Sequence, residues 1–332
     1  MENVNFPLVS IGLPVFNGEK DLARAINALL NQDYNNLEII ISDNGSTDRT
    51  PEICEEFLKK DSRIKYYHSS ENRGSNWNFN KVFDLSSGKY FMWAAHDDLR
   101  EPSFVRACVE NLEQFPEAVL CHTHTEMLIE NRKERLCVAH LDSFDGVTGL
   151  VERYRETLKH FPAVAIYGVY RSAAMKKTHM MRQIIASDLA FIQELSIYGS
   201  FVQVPEILFT YIGGETWNTI HDDYKDFTDK DRKPWWYLAF VVHFFDHWSR
   251  VTSASIPLYV KSLLLLALVQ HQVKYIFLKI LIKFSGRLCP SRWLEKVGTA
   301  IYWRWMHTPN LEVRNIVLFH ERIIKPTLGW WR

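Results

Sequence analysis

Short apolar runs alternate with stretches of helical periodicity along the first hundred residues. A short run of β-branched and other apolar residues closed by proline or polar residues indicates a buried strand, whereas apolar residues every three or four positions indicate an amphipathic helix. The pattern predicts four strands, at Leu8–Leu13, Leu37–Ile41, Ile64–Tyr67 and Tyr90–Trp93. It predicts helices between them, at Glu19–Leu30, after Asp48 to about Leu58, and at Trp77–Leu85.

Polar clusters follow all four predicted strands. Strands that alternate with helices form βαβ units in a largely parallel sheet, and such sheets bind ligands beyond the carboxyl ends of their strands. Because these ends lie along one edge, we expect the clusters to form one site. The clusters are Asn17–Gly18, Asp43–Asp48, Asn72–Gly74 and Asp97–Asp98.

The rest of the chain divides into a less regular α/β part and a helical part. Gly213, Gly214 and the polar stretch Asn218–Lys233 mark a boundary, so we predict an α/β domain over residues 1–215 and a helical region over residues 216–332. The elements predicted for the first part are helices at Pro102–Phe115 and Ala190–Tyr198 and strands at Val119–His122 and Phe201–Val204. The helices predicted for the second part are Trp235–Trp248, Leu263–Val269 and Val273–Phe284.

The formal net charge of zero conceals a difference between the two parts. Residues 234–332 contain 13 Lys and Arg against 4 Asp and Glu, whereas residues 1–233 contain 26 against 35. Eight of the 11 tryptophans also follow residue 233. Helices with Lys on one side and Trp, Phe and Leu on the other lie in the interface of anionic membranes, so we expect such a contact through residues 234–332. The alternative is a helical subdomain packed on the first domain, with its Lys residues in solvent.

Several features of the sequence indicate the cellular compartment in which the protein is expected. No uncharged stretch in residues 234–332 exceeds 12 residues, the length of Ser262–Val273, and a transmembrane helix needs about 20. The N-terminal residues lack the basic and apolar segments of a signal peptide. The five cysteines contain no C-x-x-C pair and indicate free thiols in a reducing compartment. We therefore expect a cytoplasmic protein, held peripherally on the inner face of the membrane.

Four motifs in this order resemble the inverting family 2 glycosyltransferases of the GT-A fold. They are Val9-Ser-Ile-Gly-Leu-Pro-Val-Phe-Asn-Gly18, Ile41-Ser-Asp-Asn-Gly-Ser-Thr-Asp48, Glu71-Asn-Arg-Gly74 and Trp93-Ala-Ala-His-Asp-Asp98. The resemblance covers about residues 7–215 and implies a Rossmann-like fold with a mostly parallel sheet flanked by helices. It also implies transfer of a sugar from a UDP- or dTDP-sugar donor to a glycan or lipid-linked acceptor, in the assembly of a bacterial-type surface polysaccharide or glycolipid. The basic helical region over residues 216–332 would then bind either the membrane surface or the acceptor.

The resemblance assigns a nucleotide site. Asp43 would bind the uracil or thymine ring, because a carboxylate can accept a hydrogen bond from the imide N–H. Its alternative role is an Asx turn that closes the strand. Arg73 suits the base or the diphosphate, or else it is a surface loop arginine. The remaining predicted nucleotide contacts are Pro14, Phe16, Asn17, His96 and Asp98, whereas Asp48 is expected to cap a helix.

Asp97 and Asp98 occupy the metal-binding position of the family. Mn²⁺ or Mg²⁺ binds few protein carboxylates and completes its shell with water and phosphate oxygens, and the ion stabilises the departing diphosphate. Relatives usually carry an acidic residue two positions before the metal ligand, and here that position is Ala95. We assign the metal to Asp97 first and to Asp98 second. The alternative is that the pair caps the helix begun at Pro102.

Asp188 matches the position at which the family places its general base, a carboxylate at the start of a helix. An inverting transfer needs one base to take the proton of the acceptor hydroxyl. The alternative role of Asp188 is the N-cap of the helix that follows. Relatives often carry Arg and His after the next strand, and the only histidine near that position here is His221.

Other functional classes fit the sequence less well. Gly12 and Gly18 do not form the G-x-G-x-x-G of a nicotinamide dehydrogenase, and Phe16–Lys20 is a poor match to the glycine-rich loop of a nucleotidyltransferase. The acidic first domain opposes binding of nucleic acid. The remaining alternative is a membrane-attached, inactive glycosyltransferase-like scaffold, which Ala95 and the missing histidine favour.

Overall fold

The computed structural model describes residues 6–129, 134–137, 147, 149–159, 163–213 and 239–288. Nine strands form one sheet in the order β3-β2-β1-β4-β8-β6-β9-β5, and β7 pairs with β6. The strands are β1 (Val9–Val15), β2 (Leu37–Asp43), β3 (Ile64–His68), β4 (Tyr90–Trp93), β5 (Leu99–Arg100), β6 (Ala118–Ile129), β7 (Glu134–Cys137), β8 (Val169–Arg171) and β9 (Ser200–Gly213).

Helices cover both faces of this sheet. The described helices are α1 (Leu22–Leu30), α2 (Thr50–Lys60), α3 (Ser75–Asp84), α4 (Phe104–Gln114), α5 (Leu150–Lys159), α6 (Ser172–Met175), α7 (Ser187–Leu195), α8 (Ala239–Ser253) and α9 (Leu258–Leu288). A 3₁₀ turn, Ala163–Tyr167, precedes β8.

The central strands are apolar on both faces because each face packs on helices. In β4, Tyr90 and Met92 belong to one buried cluster, and Phe91 and Trp93 belong to the other. Helices α1, α2 and α4 contribute to the first cluster, and α3, α6 and α7 contribute to the second. Strands buried on both faces read as continuous apolar runs, which is the pattern that predicted β1, β2 and β4.

The sheet is parallel in its first half and mixed in its second. β1 pairs in parallel with β2 and β4, and β2 pairs in parallel with β3, as predicted. β8 runs antiparallel to β4 and β6, β6 runs parallel to β9, and β5 runs antiparallel to β9. Parallel pairs therefore predominate, among β1 to β4 and between β6 and β9, as expected, and the short antiparallel pairs enter through β5, β7 and β8. The strands that introduce the antiparallel pairs at β4 and β9 have three and two residues, too few to form a recognisable apolar run.

The two described C-terminal helices pack on the first domain. Val251 of α8 and Leu264 of α9 form a buried apolar cluster with Tyr154 of α5 and with Ile197, which follows α7. Helix α9 is continuous over 31 residues, whereas the pattern predicts two helices there. The predicted helix start at Trp235 lies outside the described residues. No described helix is both long and apolar enough to span a membrane.

Candidate active site

The carboxyl ends of the first four strands lie at one edge of the sheet. Val15 at the end of β1 is opposite Asp43 at the end of β2, and Asp43 is opposite His68 at the end of β3. Beyond β4, the N–H of Ala94 donates to the Gly12 carbonyl at 2.8 Å. The loops that carry the four polar clusters therefore leave the same edge, as their spacing predicts.

Hydrogen bonds join the loop after β1 to the loop after β2. The N–H of Asn17 donates to Ser46 Oγ at 2.8 Å, and the N–H of Thr47 donates to Asn17 Oδ1 at 2.9 Å. Asn17 has a φ of 50°, in the left-handed region where asparagine is enriched. Asp48 accepts the N–H of Thr50, the first residue of α2, at 3.0 Å. Asp48 thus bonds the backbone at the start of that helix, but the N-cap itself is Arg49, so the predicted capping role of Asp48 is wrong by one position.

The other residues predicted to line the nucleotide differ in exposure. Pro14 is buried within β1, whereas Phe16 is exposed over 42% of its surface. His96 lies against Gly18, because a Cβ on that glycine would stand 2.9 Å from the imidazole Cδ2. The absence of a side chain at Gly18 therefore lets the loop after β4 approach the loop after β1.

Asp43 is fully buried, and both of its carboxylate oxygens have partners. Oδ1 accepts the N–H of Ser46 at 2.9 Å, and Oδ2 accepts the Tyr66 hydroxyl at 3.0 Å. His68 Nε2 lies 3.9 Å from the same Oδ2. A local bond from the Asp43 side chain to the backbone is thus present, but it reaches three residues along the chain, whereas an Asx turn reaches two. Each carboxylate oxygen keeps a second lone pair, so this local bond is compatible with an imide hydrogen bond.

The loop after β3 is tied to the loop after β2 through asparagines. Asn44 Nδ2 donates to Asn72 Oδ1 at 2.8 Å, and the N–H of Arg73 donates to Asn44 Oδ1 at 3.0 Å. The Arg73 guanidinium is exposed and lies 4.5 Å from the centre of the Trp77 ring. The stacking holds this cation beside the loop that carries Asp43.

The two aspartates after β4 have different surroundings. Asp98 is 2% exposed, and its Oδ1 accepts the N–H of Ile212 in β9 at 2.9 Å. Its Oδ2 has no hydrogen-bond partner among the described residues. Burial is the main cause that raises the pKa of Asp98 to about 7, and the neighbouring Asp97 adds to it. Asp97 is half-buried, and its carbonyl accepts Arg24 Nη2 at 3.1 Å.

Asp98 does not cap a helix. Strand β5 follows the pair directly, and α4 begins at Phe104 and not at Pro102. The side chain of Asp98 bonds the backbone of β9, which is paired to β5. The capping alternative is therefore wrong for Asp98, and the orphaned buried oxygen is the atom that a ligand would satisfy.

Arg100 is a buried cation close to Asp98 that the sequence reading missed. Its guanidinium carbon lies 4.8 Å from the Phe209 ring centre and 5.4 Å from the Phe104 ring centre. Its Nη2 donates to the Trp93 carbonyl at 3.0 Å. Burial lowers the pKa of Arg100 to about 10, so the group stays charged at neutral pH and opposes the raised pKa of Asp98. No motif marks this arginine, because its role depends on aromatic rings from separate elements.

Asp188 is the second residue of α7 and is half-buried. The N-cap is Ala186, which has a φ of 51°, so the alternative role of Asp188 as N-cap is wrong. Burial raises the pKa of the Asp188 carboxyl, and the N–H of Leu189 opposes this shift. A carboxylate with a raised pKa is a better proton acceptor than an exposed one.

Tyr167 links Asp188 to the acidic pair. Burial raises the pKa of Tyr167 well above its usual range, and the charges of Asp98, Asp97 and Asp188 contribute to the same shift. Its ring lies 5.5 Å from that of Phe209. The charges of all three carboxylates therefore act on one phenol, although the pair and Asp188 are far apart in the sequence. Tyr167 also carried no signal in the sequence, since it ends a short 3₁₀ turn outside every motif.

A family model named Glycosyl transferase family 2 matches residues 10–183, which is more than half of the chain. The chain belongs to glycosyl transferase family 2. The match confirms the resemblance carried by the four motifs, and it covers β1 to β8 and the acidic pair.

Curated relatives of this family-2 chain match it over shorter stretches. An uncharacterised glycosyltransferase of Haemophilus influenzae is 36% identical over 126 residues, which is 38% of this chain and 39% of the relative. The GalNAc(5)-diNAcBac-PP-undecaprenol beta-1,3-glucosyltransferase of Campylobacter jejuni is 38% identical over 93 residues, 28% of this chain and 30% of the relative. In both cases the matched stretch spans less than two fifths of the relative.

Solved glycosyltransferases share the fold. S. aureus TarS in complex with UDP-GlcNAc superposes with a TM-score of 0.58 at 16% identity, over 81% of this chain and 73% of TarS. The mannosyltransferase PcManGT of Pyrobaculum calidifontis, in complex with GDP-Man and Mn²⁺, gives a TM-score of 0.54 at 14% identity, over 99% of this chain and 88% of that one. These likenesses confirm the predicted α/β glycosyltransferase fold with its helical C-terminal part.

The family-2 site fits a divalent cation only if the donor supplies most of the ligands. The described residues contain no group of three or more His, Cys, Asp or Glu that could hold a metal. They do supply the buried, unpartnered Asp98 Oδ2 beside Asp97. Mg²⁺ and Mn²⁺ accept one or two carboxylates together with phosphates and water, so this oxygen set fits them. His221, the histidine considered from the sequence, lies outside the described residues.

Proposed function

We propose that this family-2 protein is an inverting glycosyltransferase that moves a sugar from a UDP- or dTDP-sugar to an acceptor hydroxyl. The reaction would serve the assembly of a bacterial-type surface polysaccharide or glycolipid. The observation that carries the proposal is the buried Asp98 Oδ2, which has no hydrogen-bond partner among the described residues and follows β4 at the edge of the sheet from which the Asp43 loop leaves. Nucleotide recognition and metal binding thus have candidate groups at one edge.

The donor nucleotide would lie on the loops after β1, β2 and β3. Asp43 is held rigidly by Ser46 and Tyr66, and its carboxylate offers a lone pair to the imide N–H of uracil or thymine. Arg73 places a planar cation next to this loop, where it suits a diphosphate. Pro14, Phe16, Asn17 and His96 would line the base and ribose. The TarS complex with UDP-GlcNAc supports a UDP-sugar for a protein of this fold.

Asp97 and Asp98 would hold Mn²⁺ or Mg²⁺ against the diphosphate. The ion supplies positive charge for the leaving nucleoside diphosphate, a stabilisation of several kcal/mol. Arg100 lies behind the pair and limits the repulsion between its two carboxylates. PcManGT in complex with GDP-Man and Mn²⁺ supports a cation for a protein of this fold.

Asp188 would act as the general base. The acceptor oxygen attacks the anomeric carbon, the bond from that carbon to the diphosphate oxygen breaks, and the acceptor proton passes to Asp188. The electron pair of the broken bond leaves with the nucleoside diphosphate. Burial favours the protonated form of Asp188 and so assists this transfer, which contributes roughly 10²–10⁴-fold to the rate.

The test is a screen of UDP- and dTDP-sugars with Mn²⁺ for release of nucleoside diphosphate, followed by two variants. Asp188→Asn is expected to abolish transfer with donor affinity retained, and an equal loss of donor binding would remove Asp188 from the role of base. Asp97→Ala is expected to remove the stimulation of donor binding by Mn²⁺. Retained stimulation would move the metal to Asp98. Absence of release with every donor would favour an inactive scaffold, the alternative suggested by Ala95.

A membrane surface is the partner we propose for α9. Several apolar side chains of this helix are exposed although its other side packs on α5 and α8. Tyr259, Leu263, Leu266, Val273 and Phe277 recur at spacings of three, four or seven, so they share one face of the helix. The exposed fractions reach 70% for Tyr259 and 56% for Phe277.

The charge of α9 favours an anionic lipid surface over a second copy of the chain. The helix contains five Lys and Arg and no Asp or Glu. Two copies paired along this helix would bring ten cations together, whereas acidic headgroups attract each of them by about 1 kcal/mol. Such a location places the protein next to a lipid-linked acceptor, the type of acceptor that the Campylobacter jejuni relative is named for.

Point variants test this surface better than truncation, since removal of α8 and α9 would expose the cluster on α5. The double variant Leu266→Gln, Phe277→Gln removes two half-exposed apolar groups, which we expect to weaken binding to phosphatidylglycerol vesicles by about 2 kcal/mol, roughly 30-fold. Leu58→Gln, on α2 and 42% exposed, is the matched control. Equal partitioning of both variants, or a dimer that the double variant dissociates, would contradict the membrane assignment.

A further inference from the structure

A buried charge network joins α8 to the segment that leads into α7. Arg250 of α8 is 1% exposed, and its Nη1 lies 2.5 Å from Glu194 of α7. Its Nε lies 2.6 Å from Asp246, and its Nη2 donates to the Met180 carbonyl at 3.1 Å. Asp246 also binds Arg182 at 2.8 Å. Two arginines and two carboxylates therefore meet at the contact between α8 and the first domain, and Glu194 also binds His179, whose Nδ1 lies 2.5 Å from its Oε1.

The segment from His179 to Ala186 is held from two sides. On the α8 side, Arg250 binds its beginning, and Ile185 contributes a backbone hydrogen bond to His243. On the α3 side, Asn80 exchanges two hydrogen bonds with the backbone of Met181, at 2.7 and 3.0 Å.

Asn76 of α3 adds further contacts to the same segment. Its Nδ2 donates to the carbonyls of Arg182 and Ile184 at 2.9 and 2.8 Å. Helix α3 follows the loop that carries Arg73, so the donor side of the site and the C-terminal helix bind one and the same segment.

Two residues of this segment have an unfavourable backbone conformation, which the surrounding contacts must maintain. Met180 and Ala186 have φ values of 53° and 51°, a left-handed conformation that is costly for residues other than glycine. Such conformations persist only where the surroundings over-determine them. Ala186 directly precedes α7, and Asp188 is the second residue of that helix. The direction in which Asp188 enters the site therefore depends on how this segment is held.

We propose that α8 is part of the transfer site. Arg250 is a positioning residue that sets the place of Asp188 through the segment from His179 to Ala186. This inference rests on the proposed role of Asp188 as general base. It assigns the C-terminal helix a function in the chemical step that is separate from any contact with a membrane. Asn80 of α3 is the second positioning residue, because it binds the same segment from the opposite side.

The test compares Arg250→Met and Asn80→Ala with Leu264→Ala, a control that weakens the packing of α9 on α5 without touching the network. Displacement of a reacting group by about 1 Å costs on the order of 10²-fold. We therefore expect kcat for transfer to fall 10- to 100-fold in the first two variants at unchanged donor Kd, with release of nucleoside diphosphate in the absence of acceptor retained. Leu264→Ala, assayed below its melting temperature, should keep kcat within about twofold. Equal losses in all three variants, or normal kcat in Arg250→Met, would overturn the inference.

Amide hydrogen exchange separates this inference from the proposed function, because it needs no substrate. Amides of residues 180–190 should exchange at least tenfold faster in Arg250→Met than in the wild type, and at the wild-type rate in Leu264→Ala. Unchanged protection in Arg250→Met would refute the positioning role even in an active enzyme. Faster exchange in a protein that releases no nucleoside diphosphate from any donor would support the structural coupling and refute the proposed function.

Discussion

The carboxylate of Glu38 ties three strands together, and its replacement by glutamine measures how much that contributes to stability. Glu38 lies in β2 and is 6% exposed. It accepts Ser10 Oγ of β1 at 2.5 Å, Lys65 Nζ of β3 at 2.5 Å, and both the N–H and the hydroxyl of Ser87 at 2.7 and 2.8 Å. Glutamine keeps one acceptor oxygen but turns an amide NH₂ toward donors.

The size of the stabilisation by Glu38 follows from the pKa of its carboxyl group in the folded protein. Burial alone would raise the pKa of Glu38, but the hydrogen bonds from Lys65, Ser10 and Ser87 outweigh it and lower the pKa from 4.5 to about 2. One pKa unit corresponds to about 1.4 kcal/mol, which sets a limit of about 3 kcal/mol. Lys65 is 58% exposed, so solvent screening reduces the stabilisation to about 2 kcal/mol. For a chain of 332 residues, whose entropy of unfolding is about 0.7 kcal/mol/K, that is a fall of about 3 °C in Tm.

The stabilisation by Glu38 should decrease as the pH falls. An acid whose folded-state pKa is depressed contributes stability above its unfolded pKa and loses it as the pH falls through the folded pKa. The Tm difference between wild type and Glu38→Gln should therefore be constant from pH 5 to 8 and shrink between pH 4 and 2. Thermal unfolding followed by circular dichroism measures it, with Glu56→Gln in an exposed helical pair as the control. A difference of less than 1 °C at pH 7, or one that does not shrink in acid, would refute the reasoning.

Three further predictions concern the site and its support. Tyr66→Phe removes the hydroxyl that donates to Asp43, so UDP should bind a few-fold more weakly by calorimetry, and unchanged affinity would show that this bond does not hold the carboxylate in place. Gly12→Ala should destabilise the fold by about 1–3 kcal/mol in denaturant unfolding, because its Cβ would stand 2.6 Å from Val82 Cγ2. Arg100→Met should cost about 2 kcal/mol in the same assay, since Met keeps the aromatic contacts but leaves the Trp93 carbonyl unpaired.

The first four strands could be predicted because their physical signal is local. The run Tyr90–Trp93 is apolar at every position, and the structure gives β4 the same bounds. Burial on both faces of a parallel sheet produces such runs, and the proline, glycine and polar residues between them mark where the chain turns. β8 and β5 could not be predicted in this way, since they are defined by pairing with β4 and β9 and not by their own composition.

Some residues of the candidate site could be predicted from the sequence, and others could not. Asp43, Asp97 and Asp188 follow strands or begin a helix within recognisable motifs, so their positions could be read from the chain. The partners that give these carboxylates their properties come from distant segments. The N–H that binds Asp98 belongs to Ile212, and Arg100 is held by rings from α4 and β9. These contacts arise from tertiary packing, which leaves no periodic trace in the sequence.

The change in composition along the chain does not separate the C-terminal helices from the first domain. The change from acidic to basic composition led to the expectation of a membrane contact, or of a helical subdomain packed on the first domain. Yet the most deeply buried ion pair there, Arg250 with Glu194, joins α8 to the helix that carries Asp188. Breaking a fully buried pair by removing one partner costs about 3–5 kcal/mol, because the other charge is left buried and uncompensated. The proposed role of α8 in placing Asp188 rests on this pair and on the bond from Arg250 to the Met180 carbonyl.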